Sequence, residues 1–196
     1  MMHPQTRINF ISPEVGVGVI AKEFIPKGTL VWVRDPLDRV LEPAEVAALP
    51  EPAKDFSLTY MYRNAGGQYV LLWDHGKYVN HDFAPNCMPT PYGFDIAIRD
   101  IPAGAELTED YGLLNIIEEF SPFQEGDLAH RGVVRGDDIS RHAAEWDAQM
   151  KSAISQINQV AQPLLNLVPP DVLAEIERVV RQRLPARPVL GMLFGG

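Results

Sequence analysis

The hydrophobic pattern of this chain changes near Gly136, and that change limits the folds open to it. Before Gly136, short runs rich in β-branched residues are separated by glycine and proline, as in GVGVIAKEFIPKGTLVWV at 16–33. Such runs predict short strands joined by tight turns. After Gly136, apolar residues recur every three or four positions, which is the spacing of one helix face. The pattern therefore predicts a β-rich body followed by helices.

Further strands are expected in the second half of the β-rich region, over 68–111. There Phe94, Ile96 and Ile98 recur at every second position, so they should share one face of a sheet. Between the two β regions, the proline-rich stretch 36–67 predicts a short helix beginning near Glu42 and then an insert of low regularity.

Two helices are predicted after Gly136. The first is a long amphipathic helix from about Ser140 to Gln162, and the second runs from the PPD at 169–171 to Pro185. Their apolar faces and the glycine-containing stretch after Pro185 leave the oligomeric state open, because these surfaces suit either packing on the body or contact with another copy.

The charge balance excludes one class of partner. The 196 residues include 17 Lys and Arg against 26 Asp and Glu, a net charge of −9. The chain as a whole therefore lacks the positive charge that binds a phosphate backbone, and direct binding to nucleic acid is not expected. The acidity favours encounter with a basic client, although an acidic surface most often only keeps a protein soluble.

Cysteine usage and hydropathy predict a compartment. Cys87 is the only cysteine, which excludes an internal disulfide and a multi-cysteine zinc site and suits a reducing environment. The sequence shows neither the apolar core of a signal peptide nor the roughly 18 continuous apolar residues of a membrane span. We expect a cytoplasmic protein that does not associate with membranes.

Taken singly, the short motifs have ordinary explanations. The GVG at 16–18 suits a tight turn, and the third glycine and following helix of a dinucleotide-binding motif are absent. His75 and His130 suit turns or the surface better than a metal site, and no His-Glu-x-x-His spacing occurs. Tyr111 alone would be interpreted as a core residue.

In combination and in this order, four segments resemble the SET-domain protein lysine methyltransferases. They are GVGVIAKEFIPKGTLV at 16–31, NHDFAPN at 80–86, IAIRDIPAGAEL at 96–107 and ELTEDYG at 106–112. The resemblance implies a mainly β fold with some α: small twisted sheets with a threaded C-terminal segment (a pseudoknot), followed by C-terminal helices. It implies a SET domain over 1–120 with an insert at about 36–67, and a degenerate post-SET segment with a helical extension over 121–196.

The resemblance also implies site residues. Asn80 and His81 would lie beside S-adenosyl-L-methionine, and Tyr111 would be the catalytic tyrosine and also contact this cofactor. The backbone of Gly16, Val17 and Gly18 would receive the methionine end of the cofactor, whose product is S-adenosyl-L-homocysteine. The substrate pocket would include Glu109, Tyr78 and Tyr92, with Tyr60 as a further candidate.

One departure from the family concerns zinc. Many members read NHSC where this chain reads NHDF and bind zinc with a later cysteine cluster; here Phe83, Phe123, Glu125 and His130 stand in those positions. A site with one possible ligand cannot hold zinc as a structural site does, so no zinc is expected. Some members without the cluster close the lysine channel with a C-terminal helix, so the helix from about Ser140 is either this lid or a helix packed elsewhere.

A second departure is Glu109, at a position that is usually aromatic and lines the amine pocket. A carboxylate there would favour the charged ammonium over the neutral amine. Three alternatives follow: Glu109 points into solvent, it selects an unusual amine, or the site binds cofactor without turnover. Lys77 and Asp82 also differ from common family residues in ways that the backbone tolerates.

The resemblance implies S-adenosylmethionine-dependent methyl transfer to the lysine side-chain amine of a protein or peptide, without zinc. The alternative is a SET-derived module that binds cofactor or a basic peptide without turnover. A third hypothesis, a structural β domain with chance motifs, requires that the cofactor does not bind.

Overall fold

The structure is a computed structural model that describes residues 1–122 and 131–195. Over these residues, ten strands form three small sheets and are accompanied by four α-helices. Within the same ranges, none of the helices combines the length and apolarity needed to span a bilayer. The predicted fold class, mainly β with α and with helices at the C-terminal end, is confirmed.

The first sheet brings together segments that are distant in sequence. Its strand order is β1-β2-β10-β7, with β10 antiparallel to β2 and parallel to β7. Because β10 lies between two strands that precede it by many residues, the ELTED segment is enclosed by earlier parts of the chain. The strands are β1 (Thr6–Ser12), β2 (Gly16–Ala21), β7 (Asn80–His81) and β10 (Glu106–Glu109).

The second sheet forms the centre of the core. Its order is β3-β9-β8, and Phe94, Ile96 and Ile98 are all buried, as their alternation predicts. The strands are β3 (Leu30–Val33), β8 (Cys87–Pro89) and β9 (Phe94–Ala97).

The stretch 36–67 is more regular than predicted. It holds most of a third sheet of order β4-β6-β5 and two helices, the first of which begins directly after Glu42 as expected. The prediction of low regularity is wrong because Pro50 is the N-cap of the second helix and a proline occupies its first turn, where a missing N–H costs no hydrogen bond. The elements are β4 (Arg39–Leu41), β5 (Met61–Arg63), β6 (Tyr69–Leu71), α1 (Pro43–Ala47) and α2 (Glu51–Tyr60).

The first C-terminal helix, α3, spans Asp138–Ile154 and ends before the predicted Gln162. The side chain of Gln162 instead donates to the Gly28 carbonyl at 2.7 Å and accepts from the Leu30 N–H at 2.9 Å. Tertiary hydrogen bonds to the β body thus replace the last helical turns. The second helix, α4, spans Pro170–Val180.

The C-terminal helices complete the core of the β body. One hydrophobic cluster combines Phe94 and Ile96 of β9 with Met150 of α3 and Ile176 of α4. Because these side chains are buried against one another, the orientation of α3 relative to the second sheet is fixed by packing.

Candidate active site

The site forms where β10 pairs with β7. Thr108 lies opposite Asn80, and Glu109 lies opposite His81. The chain then turns, so that the Tyr111 N–H donates to His81 Nδ1 at 3.0 Å. The Tyr111 hydroxyl donates to the Val79 carbonyl at 2.7 Å. The strand pairing therefore brings the NH and DY motifs into direct contact, and the two hydrogen bonds fix Tyr111 at its backbone and at its hydroxyl.

His81 is a neutral ring at this contact. Burial, with the charge of Arg131 second, lowers the pKa of His81 to about 4. Because Nδ1 accepts the Tyr111 N–H, the ring proton is assigned to Nε2. This buried nitrogen has no hydrogen-bond partner within the described chain. A buried donor is thus available for a ligand.

Asn80 joins the GVG segment, which begins β2, to the same site. Its side-chain amide donates to the Val17 carbonyl at 3.0 Å and to Glu106 Oε1 at 2.7 Å. A Cβ on Gly18 would lie 2.8 Å from Asn80 Nδ2, so only glycine fits there without a shift. Gly16 has φ +82° and open space where a side chain would be. The structure therefore brings all the predicted cofactor residues together.

Three features of this region suit an adenosyl cofactor. The space beside Gly16 is open, and the Nε2 donor of His81 is unpartnered among the described residues. The ring of Phe120 is 37% exposed and lies 6.2 Å from the His81 ring and 6.4 Å from the Tyr111 ring. An exposed aromatic face next to a free donor offers stacking and a hydrogen bond to a purine.

Glu106 takes part in this region, although the sequence analysis did not single it out. Burial raises the pKa of Glu106, and its hydrogen bond from Asn80 opposes that rise. Glu106 belongs to the ELTEDYG motif, but the contact between Glu106 and Asn80 depends on strand pairing. The motif alone does not predict that pairing.

A cavity of about 690 Å³ opens on the other side of Tyr111. Glu109 lines it, and Tyr60 does so as well, whereas the described lining leaves out Tyr78 and Tyr92. Tyr78 packs edge-on against Tyr60, with ring centroids 5.3 Å apart, and the hydroxyl of Tyr92 accepts the Arg187 N–H at 2.8 Å. Further wall residues that the sequence analysis did not name include Tyr62, Asp95 and Met192.

Glu109 is buried, with only 8% of its surface exposed. The alternative in which it points into solvent is therefore wrong, because strand pairing turns this side chain toward the cavity. Burial raises the pKa of Glu109 to about 7, and a hydrogen bond with Asp95 partly offsets the rise. Burial, followed by the proximity of Glu109, raises the pKa of Asp95 well above its usual range. Near neutral pH, the two carboxyls share a proton.

Arg131 connects α3 to the site from the opposite side. Its guanidinium donates to the carboxylates of Asp110 and Asp138, both almost fully buried. It also lies over the ring of Phe83, 4.9 Å from the ring centroid. Phe83, which stands at a zinc-cluster position of the family, thus packs under a guanidinium that spans two segments of the chain.

The remaining cluster positions, Phe123, Glu125 and His130, lie outside the described residues. Over the ranges 1–122 and 131–195, no group of three or more His, Cys, Asp or Glu side chains is arranged to hold a metal ion. The absence of zinc from the whole chain stays a prediction.

The predicted lid helix packs away from the cavity. Its buried residues, such as Trp146 and Met150, belong to the main core cluster, and α3 supplies none of the cavity's described wall. The C-terminal segment, residues 189–194, supplies Gly191 and Met192 instead. It is held there by Asn115, whose amide donates to the Met192 carbonyl at 2.8 Å.

We call the region in which β10 pairs with β2 and β7 the crossover. A comparison with known families gives a match that covers all of it. Residues 16–112 match the family model of the SET domain. A search of curated proteins found no match.

Proposed function

The chain belongs to the SET-domain family, and from this premise we propose that it transfers a methyl group from S-adenosylmethionine to the side-chain amine of a lysine in a protein or peptide. SET domains are generally protein lysine methyltransferases. The observation that carries the proposal for this chain is the position of Tyr111, fixed between the cofactor candidates Asn80 and His81 and the cavity that contains Glu109.

The candidate cofactor residues are the backbone of 16–18 together with Asn80 and His81. When bound there, the cofactor supplies a methyl group activated by a positively charged sulfur. The residues around it then have to align the amine and exclude water, which are the main requirements of an in-line displacement.

The acceptor amine must lose a proton before it can react. A free lysine has a pKa of about 10.4, so neutrality at pH 7 costs about 4.6 kcal/mol. Burial in a mostly apolar cavity lowers that pKa because it disfavours the ammonium. The cavity walls therefore lower the free-energy cost of deprotonating the lysine, and a strong base is not required.

Tyr111 is suited to hold the neutral amine. Burial raises the pKa of its phenol, so the hydroxyl stays protonated. Since its proton is donated to the Val79 carbonyl, the oxygen keeps lone pairs that can accept from an amine N–H. The tyrosine thus acts as a positioned acceptor and not as a general acid.

The experiment that tests the proposal combines binding and labelling. Calorimetric titration with S-adenosylmethionine should show micromolar or tighter binding to the wild type and weaker binding to Asn80→Ala. Methyl-tritiated cofactor should label lysate proteins, and Tyr111→Phe should lose that label while keeping cofactor binding and a folded circular dichroism spectrum.

The second candidate function is a binding module without turnover, and the buried carboxyl of Glu109 favours it. That hypothesis predicts cofactor binding with no label in either the wild type or Tyr111→Phe. Absence of cofactor binding to the folded wild type would refute methyl transfer and the cofactor-binding form of the module, and would leave the form that binds a basic peptide. The substrate's identity, its basic character and a cytoplasmic location remain predictions.

A further inference from the structure

We propose that Asp95 and Glu109 together receive the substrate amine: the pair binds it as an ammonium ion and then accepts its proton. This inference rests on the proposed function and deepens it, because it assigns a proton acceptor to a site whose chemistry otherwise depends on burial alone. The two side chains come from adjoining parts of the fold, β9 and β10, and both line the cavity that Tyr111 also lines.

The first argument is the charge of the pair. The two carboxyls share a hydrogen bond, and burial raises the pKa of Glu109 to about 7 and that of Asp95 well above its usual range. Above about pH 7 the pair therefore holds one proton and one negative charge, in a place where Glu109 is buried. The ion pairs formed within the described residues include neither Asp95 nor Glu109. A buried anion without a cation is costly, and a cationic ligand removes that cost.

The second argument is the aromatic part of the wall. Tyr60 and Tyr62 line the cavity, and aromatic faces attract an ammonium group. Trp32, which is 4% exposed, lines the cavity as well. Aromatic walls beside the carboxyl pair therefore suit a cationic ligand.

The other charged or titratable groups around the pair do not neutralise it. Tyr62 and Tyr111 have raised pKa values, from burial first, and the thiol of Cys87 has a pKa raised well above its usual value by burial. These three groups are therefore uncharged near pH 7. Arg34, Arg63 and Lys77 also line the cavity, and Asp38 and the amino group of Met1 act on Asp95. None of these cations forms an ion pair with Asp95 or Glu109 within the described residues.

The proton balance is simple. The ammonium donates one N–H proton to the ionised carboxyl, so the pair passes from one proton to two, and the amine becomes neutral with its lone pair free. The pair returns that proton to water when the amine leaves. Burial raises the pKa of Glu109 to about 7. This value lies closer to the pKa of an amine than the pKa of an exposed carboxyl does, so proton transfer from the ammonium is less unfavourable.

The test uses n-butylamine, which mimics the end of a lysine side chain, and the full chain without cofactor. Binding is measured by NMR titration between pH 5.5 and 8.5 for wild type, Glu109→Gln and Glu118→Gln. Glu118 also lines the cavity but is exposed. Glu118→Gln therefore removes the same charge from an exposed position and serves as the control.

We expect Glu109→Gln to weaken binding about tenfold or more and Glu118→Gln to change it less than about twofold. Wild-type affinity should fall about tenfold as the pH drops from 8 to 5.5, because the pair then holds two protons and carries no charge. Asp95→Asn should reproduce the loss, which guards against a folding defect in one variant.

Equal affinity of wild type and Glu109→Gln, or an affinity that does not change with pH, would overturn the inference. The proposed function can fail separately. If cofactor binding and labelling are absent while butylamine binding follows the predicted pattern, the amine site is supported and methyl transfer is refuted. If labelling occurs and Glu109→Gln leaves butylamine binding unchanged, methyl transfer is supported and the amine site is refuted.

Discussion

Two carboxyl pairs lie on either side of the peptide bond between Glu109 and Asp110, and they differ in what holds each pair together. Asp110 and Asp138 are both buried and share the guanidinium of Arg131, whereas Glu109 shares only a proton with Asp95. The first pair joins α3 to the crossover. The second faces a cavity and forms no ion pair within the described residues. A pair bridged by a cation of the protein stabilises the fold, whereas a pair that faces a cavity and lacks an ion pair is better suited to bind a cationic ligand.

Removing the cation of the first pair should have the largest effect. Arg131→Met leaves two buried carboxylates without the cation that they share, so we expect the free energy of unfolding at pH 7 to fall by about 3–5 kcal/mol, as measured by urea denaturation. Arg181→Met is the matched control, because its ion pair with Glu177 is exposed at both ends and should matter by less than about 1 kcal/mol. Similar losses in both variants would show that Arg131 does not have this structural role.

The Asp95–Glu109 pair should make the free energy of unfolding depend on pH. Its folded pKa, about 7 for Glu109, exceeds the ordinary value of 4.5, so the native state holds more protons than the unfolded chain between these values. Stability from this group is complete below about pH 4.5 and is lost as the pH rises through 7. The loss, relative to Glu109→Gln, should be about 3 kcal/mol.

Urea denaturation of wild type and Glu109→Gln across pH 4.5–8 measures this difference directly. Glu118→Gln, which changes an exposed carboxyl, should give a difference from wild type that stays nearly flat across the same range. A flat difference for Glu109→Gln as well would mean that Glu109 ionises in the native state as it does in the unfolded chain.

A smaller effect is expected on the cofactor side of the crossover. Gly18→Ala places a Cβ 2.8 Å from Asn80 Nδ2 and also close to the Glu106 carboxylate. Because these are side-chain ends that can shift, we expect a loss of about 1–2 kcal/mol in stability together with weaker cofactor binding. Gly132→Ala, where nothing lies within 4 Å, should leave both unchanged.

The residues of the crossover could be named from the sequence because four segments in combination resemble a known family, whereas each short motif alone has an ordinary explanation. The structure places the NH motif in β7, the DY motif directly after β10 and the GVG segment at the start of β2. There Gly16 has a positive φ and Gly18 a close approach. The alternation of Phe94 and Ile96 located buried positions of β9.

The cavity could not be predicted in the same way. Its wall includes the end of α2 and β5, both inside an insert whose prolines suggested irregular structure, and Met192 from far along the chain. Tyr92 was expected there, yet its ring packs into the core against Phe94, with centroids 5.8 Å apart. Composition alone does not show which tyrosine faces a cavity, because each orientation depends on contacts between distant segments.

The sequence by itself determined the two β regions and the existence of both C-terminal helices, since these depend on local periodicity and turn residues, and its resemblance to a known family named the residues of the crossover. Only the tertiary structure decided that α3 ends at Ile154, that Arg131 joins two carboxylates, and that Glu109 is buried against Asp95. The physical reason is that burial and charge compensation are set by neighbours far apart in sequence, whereas strand and helix periodicity is set by neighbours within a few residues.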